Sequence, residues 1–517
     1  MPFLLDWNII EYYRMKIRRH FYAAMVTKKD FITEQNNMEQ DNNIGHNIEQ
    51  DGRKQQTRES SEGLSREERM ASSSIGSLVV SMAFPAILAQ LINILYSIID
   101  RIYIGHMKDV GAAALTGVGV TFCITVFISA FSAFISNGAA PLAAIWLGKK
   151  DREHAEKILG NSVTFLILCT VFLMVFFYAF QKQLLYMFGA SDATIGYAVD
   201  YISIYLIGTI FVELSLGLNA FIICQSQSRT AMYSVLIGAI ANIILDPIFI
   251  FVFGLGVKGA AIATVISQAL SAFWVVGFLT GKKTSLKIRR SCMKLEKGIL
   301  FSIFSLGISP FIMRATESFI SIVLNHGLQA YGGDLYVGSM TIMQSVMQIF
   351  SAPIGGFTQG ISPVISYNYG AGNFKRVKEV YRWMIGACFV FMLIATISTI
   401  VFPEWYASFF TEDAELIALV GKTMPVFMFG MSIFGLQNGI QPTFLALGQA
   451  KISLFIAVFR KIILLIPLAL ILPRFFGVMG VYYSEPVSDI ISAATATVLF
   501  VCNIRKMLSK EALAKIH

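Results

Sequence analysis

The stretch "NIILDPIFIF", residues 242–251, places Asn242 and Asp246 four positions apart in a run that is otherwise hydrocarbon. On a helix that spacing puts both side chains on one face, and a carboxylate there can hold a small cation. Pro247 adds to the pattern. It has no N–H to offer the carbonyl of Ile243, so that oxygen is free to turn toward a site or a water. If the span begins near residue 230, Asp246 sits roughly 12 Å below its outer end at about 1.5 Å per residue. Asp100, near the end of an earlier apolar run, and Thr264, six residues into the following one, fall at a similar depth. Two carboxylates, an amide oxygen, a hydroxyl and the freed carbonyl could together ligate sodium. A carboxylate in low dielectric, neutral when sealed and ionised when water reaches it, could equally carry a proton. Moving one charge through a membrane potential is worth about 2.3 kcal/mol per 100 mV, enough to bias two states more than tenfold. The residue types do not choose between H+ and Na+.

Other chemistry has little support. The six cysteines (Cys123, Cys169, Cys224, Cys292, Cys388, Cys502) show no CxxC spacing and are expected to be buried free thiols. The six histidines lack metal-ligand spacing, and no Ser-His-Asp order, HExxH or phosphate-cradling glycine loop is present. The reading is therefore not an enzyme, with no catalytic residues, no metal and no cofactor beyond the coupling ion.

The elements that must position these groups follow from composition. With 55% hydrophobic and 14% charged residues, the chain is too apolar for an ordinary soluble domain. Twelve apolar segments recur, at about 75–104, 112–147, 156–181, 194–224, 230–254, 258–280, 296–326, 333–370, 379–402, 416–446, 452–473 and 477–503. Each is long enough to cross a hydrocarbon layer of about 30 Å as a helix, and all are too long for transmembrane strands. The segment 333–370, rich in Gly and Pro, is expected to be one bent helix. An all-α integral membrane protein follows, multi-pass in the cell membrane with the bilayer as partner. The even-numbered connections hold most of the loop Lys and Arg, among them Lys149, Lys150, Arg152, Lys282, Lys283, Arg289, Arg290, Lys375 and Arg376. This asymmetry predicts that both termini are cytoplasmic. The +9 net charge is thus a topological signal and argues for no nucleic-acid partner.

Residues 1–72 differ sharply, being polar and short of packable hydrophobes, and are expected to be a disordered cytoplasmic extension. Within them "WNIIEYYRMKIRRHFYAAM" could lie on the inner leaflet as an amphipathic helix, although Met25 or Met38 could equally be the start. The stretch is not a signal peptide, because charges break its apolar core.

The remainder repeats itself. "APLAAIWLGKKDREHAEKIL" from Ala140 aligns with "SPVISYNYGAGNFKRVKEVY" from Ser362, pairing Pro141 with Pro363 and Gly148 with Gly370. "QSRTAMYSV" from Gln227 aligns with "QAKISLFIA" from Gln449, and "GVKGAAIATVISQ" from Gly256 with "GVMGVYYSEPVSD" from Gly477. Matches at nearly one offset define two halves: a first lobe at 73–280, a basic cytoplasmic linker at 281–297, a second lobe at 298–505 and a tail at 506–517. Six spans per half is an even number, so the lobes share one orientation and are related by a pseudo-twofold along the membrane normal. Two lobes that can rock imply a central cleft and alternating access rather than a fixed pore.

The second lobe has charges of its own. Arg314 and Glu317 are i, i+3 in the seventh span, where they could form an ion pair or Glu317 could serve the substrate or cation pathway. Arg460 and Lys461 lie midway through the eleventh span at the depth of Asp489, so a structural pair of Arg460 with Asp489 is expected; Glu485, one turn from Asp489, could instead face the cleft. Polyspecific walls need adaptable groups. Met340, Met343, Met347 and Phe350 are candidates, as are Gln344, Gln348 and Gln359, whose amides bind varied ligands with little desolvation cost.

"AFPAILAQLINILYSIIDRIYIGH", "NIILDPIFIFVFGLGVKGAAIATVIS" and "FSAPIGGFTQGISPVISYNYGAGNFKRV", taken in order over about 75–503, resemble the multidrug and toxic compound extrusion (MATE) family of antiporters. Within it the chain is similar to bacterial multidrug exporters of the MepA type. The resemblance implies two six-helix lobes forming a V. It also implies antibiotic-resistance-type efflux of cationic, amphipathic compounds in exchange for H+ or Na+, and a cation site at Asp100, Asn242, Asp246 and Thr264. Some family members carry an acid in the tenth span; none occurs between 416 and 446, which puts a second cation site in doubt. Small organic cations are the expected cargo and the monomer the expected state. The alternative is a flippase for lipid-linked oligosaccharide or another lipid, which would call for a strongly basic cleft.

Overall fold

The computed structural model describes residues 68–107 and 111–514. Among the described residues eleven helices are long and apolar enough to cross a membrane: α1 (Ile75–Gly105), α2 (Ala114–Gly148), α3 (Arg152–Met187), α4 (Ile195–Ile223), α5 (Ser228–Val252), α6 (Gly256–Thr280), α7 (Lys297–Gly332), α9 (Phe374–Val401), α10 (Ala414–Ala446), α11 (Ala450–Phe476) and α12 (Val478–Met507). The twelfth, α8 (Asp334–Gly370), is as long, but Gly, Ser, Thr and Gln dilute its apolar character; it runs unbroken through Pro353 and Pro363. No strand occurs among the described residues. The chain is therefore an all-helical, multi-pass membrane protein.

Prolines shape the first lobe and α11. Widened π-type turns at Val79–Ala83 and Ile135–Ala139 lead directly into Pro85 and Pro141, and one at Phe459–Leu465 leads into Pro467. The ring cannot donate to the preceding turn, and the wider turn absorbs the mismatch.

The repeat extends to individual backbone angles. Left-handed φ occurs at Lys150 (64°) and Gly372 (72°), at Ser226 (62°) and Gly448 (71°), and at Gly256 (56°) and Gly477 (57°), each pair occupying equivalent positions in the two halves. Helix starts match as well: Asp151 Oδ1 accepts the His154 N–H at 2.9 Å, and Asn373 Oδ1 accepts the Arg376 N–H at 3.3 Å.

The lobes meet at the end of the bundle where α1 and α7 begin and α2 and α8 finish, called here the basic end. A Cβ added at Gly148 would overlap the Tyr367 carbonyl, and one at Gly370 would overlap that of Ile145. Further along, Gly138 abuts Gly307, Gly360 abuts Met82 and Ala83, and Gly356 abuts Ala86 and Ile87. Beyond them the Phe311 ring of α7 packs on Phe134 (4.6 Å) and Phe131 (5.0 Å) of α2, while Gln90 of α1 donates to Gln359 of α8 at 3.1 Å. Small residues let backbones approach and dispersion do the rest.

The 281–297 linker is fastened to the first lobe. Gln225 Oε1 accepts from Thr284 Oγ1 (2.8 Å) and from the N–H groups of Ser285 (2.7 Å) and Leu286 (3.1 Å). Glu156 pairs with Arg289 at 2.8 Å. Asn161 Oδ1 accepts the Glu296 N–H at 2.8 Å, and Thr164 donates to the Met293 carbonyl at 2.8 Å.

The proposed leaflet helix and nearly all of the 1–72 extension lie outside the described residues. Its last turn, Glu68–Ser72, is helical, with Met70 fully buried and its carbonyl bonded by Asn368 at 3.0 Å. All six cysteines are free; Cys224, Cys292 and Cys388 are buried, but Cys502 is exposed, because the last turns of α12 present it outward.

Candidate functional site

α5 presents the pair at the centre of the first lobe. The i, i+4 spacing lets Asn242 Nδ2 donate to Asp246 Oδ1 at 3.0 Å, and both residues are buried, Asp246 completely. α6 comes close enough to seal them because its small residues match those of α5. Gly238 faces Ser271, Gly259 lies against the backbone of Phe249, and Ser271 Oγ donates to the Ser234 carbonyl at 2.8 Å. Past Pro247 the helix widens at Ile248–Val252, so the irregularity falls next to the carboxylate.

α1 brings in Asp100, whose carboxyl neighbours that of Asp246. In this cluster three buried oxygens have no hydrogen-bond partner among the described residues: Asp100 Oδ1, Asn242 Oδ1 and Asp246 Oδ2. Two neighbouring carboxylates are both acceptors when ionised, so a proton or a small cation between them would relieve their repulsion. Thr264 does not bond Asp246 directly. It meets Tyr201 of α4, which itself stands beside Asp100. Tyr96 lies one turn before Asp100, and Gln268 of α6 accepts from Ser215 of α4 at 2.9 Å. The phenols and amides form a polar wall around the acids. Arg101, next to Asp100 in sequence, places its guanidinium 5.4 Å over the Phe122 ring.

Sequence reasoning missed Glu213 of α4. Its side chain is fully buried, and neither carboxylate oxygen has a partner among the described residues. An intramembrane acid with no neighbour in sequence to mark it was the available signal.

In the second lobe the charges are largely spent on one another. The wide turn at Phe459–Leu465 presents Arg460 and Lys461 inward. Arg460 bonds Asp489 at 2.8 Å and Glu485 at 3.4 Å and lies 4.0 Å from the Phe434 ring centroid. Lys461 Nζ meets Glu317 Oε2 at 2.9 Å. Arg314 and Glu317 thus form no ion pair, because Lys461 takes the acid. Glu485 does not face the cleft: it is buried, drawn in by Arg460.

The remaining cleft candidates divide by helical phase. Gln348 lies three turns from Gln359 on the same face of α8, the face that meets Gln90 across the seam, and it is exposed. Gln344 is half-buried and about 60° off that face. Met347 points toward the lobe's own core, and Met340 and Met343 are fully buried there, so they serve packing rather than the cleft. Phe350 packs on Tyr406 within the lobe.

Two six-helix lobes joined basic end to basic end, with paired acids inside one of them, define a two-lobe helical transporter. Residues 85–248 and 310–471 match the MatE family, one stretch in each lobe, and the chain belongs to that family. It is similar to the multidrug export protein MepA of Staphylococcus aureus strain MSSA476, 25% identical over 421 residues that cover 81% of this chain and 92% of the relative. It is also similar to MepA of Staphylococcus haemolyticus, 25% identical over 437 residues, 84% and 95% of the two chains. Among solved structures, a MOP superfamily transporter from Pyrococcus furiosus superposes with a TM-score of 0.79 at 21% identity, covering 86% of this chain and 98% of that one. An outward-facing multidrug resistance MATE transporter gives 0.77 at 22%, covering 83% and 96%.

Proposed function

We propose that this protein exports amphipathic organic cations in exchange for H+ or Na+ by alternating access. The observation that carries this reading is the Asp100–Asp246 pair: neighbouring carboxyls inside one lobe, Asp246 buried and Asp100 half-buried, with a buried oxygen of each left unpartnered. Such a pair holds a cation or a proton while sealed and releases it when the lobe flexes and water enters. Membership in the family and likeness to multidrug export proteins support the cargo class.

In this reading the basic end faces the cytoplasm, in keeping with the loop charge. The seam at that end is closed, so the cleft opens outward. Ion entry from outside loads the first lobe, cargo leaves, and the lobes rock to reseal. The same reading has the protein act as a monomer, with Asn242 and Thr264 orienting the acids. The flippase alternative would want a strongly basic cleft, and the pairing of Glu317 with Lys461 argues against one.

The test is drug efflux from everted vesicles under an imposed proton or sodium gradient, with Asp246→Asn beside the parent. Gradient-driven efflux that is lost in the variant supports the reading, and unchanged efflux removes Asp246 from the coupling site.

A further inference from the structure

Arg314 is a cation near the middle of α7, exposed, and without an ion-pair partner within 4 Å among the described residues. Its direction follows from helical phase. Arg314 is seven residues beyond Gly307, hence within about 20° of it around the helix and about 10 Å further along. Gly307 is the point where the α7 backbone touches Phe134 and Gly138 of α2. One turn before Arg314, the Phe311 ring closes against Phe131 and Phe134. Arg314 therefore lies on the face of α7 turned toward the first lobe, just past the aromatic seal, and it is exposed.

Its nearest acid, Glu317, attracts it without forming an ion pair. Glu317, the acid within one turn, bonds Lys461 through Oε2 and still leaves its side chain 54% exposed. Asp489 and Glu485 are engaged by Arg460. Past the seal α7 thus presents an aromatic surface, a guanidinium held in no ion pair, and a partly exposed carboxylate three residues away. An unpaired cation in a low-dielectric cleft is costly unless a ligand answers it. A guanidinium is the side chain best shaped to take a carboxylate, with two parallel N–H donors.

We propose that Arg314 is a specificity residue that binds the carboxylate of zwitterionic aromatic cargo, the ring system resting on Phe311 and Phe131 and the cationic group turned toward Glu317. This rests on the exporter reading and narrows its substrate class: an aromatic cation that also bears a carboxylate is preferred over its ester.

The test uses a rhodamine with a free carboxylate and its ethyl ester, and fluorescence polarisation with the full-length purified protein. The parent should favour the free acid. Arg314→Gln should weaken the acid about tenfold, the scale of one charge-assisted hydrogen bond, and leave the ester unchanged within about twofold. Arg314→Lys should recover part of the loss. Equal weakening of both probes, no change in either, or no preference in the parent overturns the proposal. Ester binding doubles as the folding control. Gradient-driven export of the ester by the parent is scored separately: its absence would strike the exporter reading, while the binding ratios still judge Arg314.

Discussion

Gly148 and Gly370, equivalent positions of the two halves, press against each other's helices across the pseudo-twofold: the first under the Tyr367 carbonyl, the second under that of Ile145. The pattern continues inward, where Gly138 on Gly307 mirrors Gly360 on Met82. One mutual surface, used twice, closes the basic end.

Adding a methyl there should open it. Gly148→Ala cannot fit without moving backbone, and such overpacking costs about 1–3 kcal/mol, enough to shift a two-state balance severalfold or more. Spin labels at the exposed positions Glu153 and Lys378 should report a longer distance in Gly148→Ala and in Gly370→Ala than in the parent. An unaltered distance distribution would show that the seam tolerates the methyl.

Backbone strain offers a second check. Lys150 and Ser226 hold left-handed φ where the other half uses Gly372 and Gly448. Lys150→Gly and Ser226→Gly should each stabilise the fold by about 0.5–1 kcal/mol, the penalty of a side chain in that region less the entropy glycine adds. Gly372→Ala should do the reverse. Thermal unfolding in detergent measures all three, and a lower midpoint for Lys150→Gly would contradict the assignment.

Arg460 holds two acids, so its loss leaves both unanswered. Arg460→Met should destabilise by about 3–5 kcal/mol, and adding Glu485→Gln with Asp489→Asn should restore most of it. Denaturation of the single and triple variants decides this; equal stability of the two would mean that the acids find other partners.

Asp100 and Asp246 act as a unit if a single ion sits between them. Asp100→Asn and Asp246→Asn should then each abolish most gradient-driven efflux, and the double variant should lose little more than either. Independent, multiplying losses would separate the two acids.

Much of this architecture was legible in the residues. Span limits, the duplication and the Asn242–Asp246 contact follow from hydropathy, offset and helical spacing, which are local or nearly so. The partner of Glu317 was not, because that acid lies within a turn of Arg314 in sequence yet bonds Lys461, 144 residues away. Glu485 was misplaced for the same reason: its neighbour Asp489 suggested a face, but the guanidinium of Arg460 drew both acids inward. Glu213 escaped notice because no patterned residue flanks it. Thr264 fell at the expected depth, but the sequence could not say that Tyr201 would stand beside it.

Only a very short stretch of chain between the lobes is left free. Gln225, Glu156, Asn161 and Thr164 grip the connector as far as Glu296, and α7 starts at the next residue. The connector has no slack to spool out, so in the proposed rocking of the lobes it would travel with the first lobe and the pivot would fall at the foot of α7. That helix also carries Gly307, Phe311 and Arg314, so a tilt about its foot swings the seal and the guanidinium together on one lever.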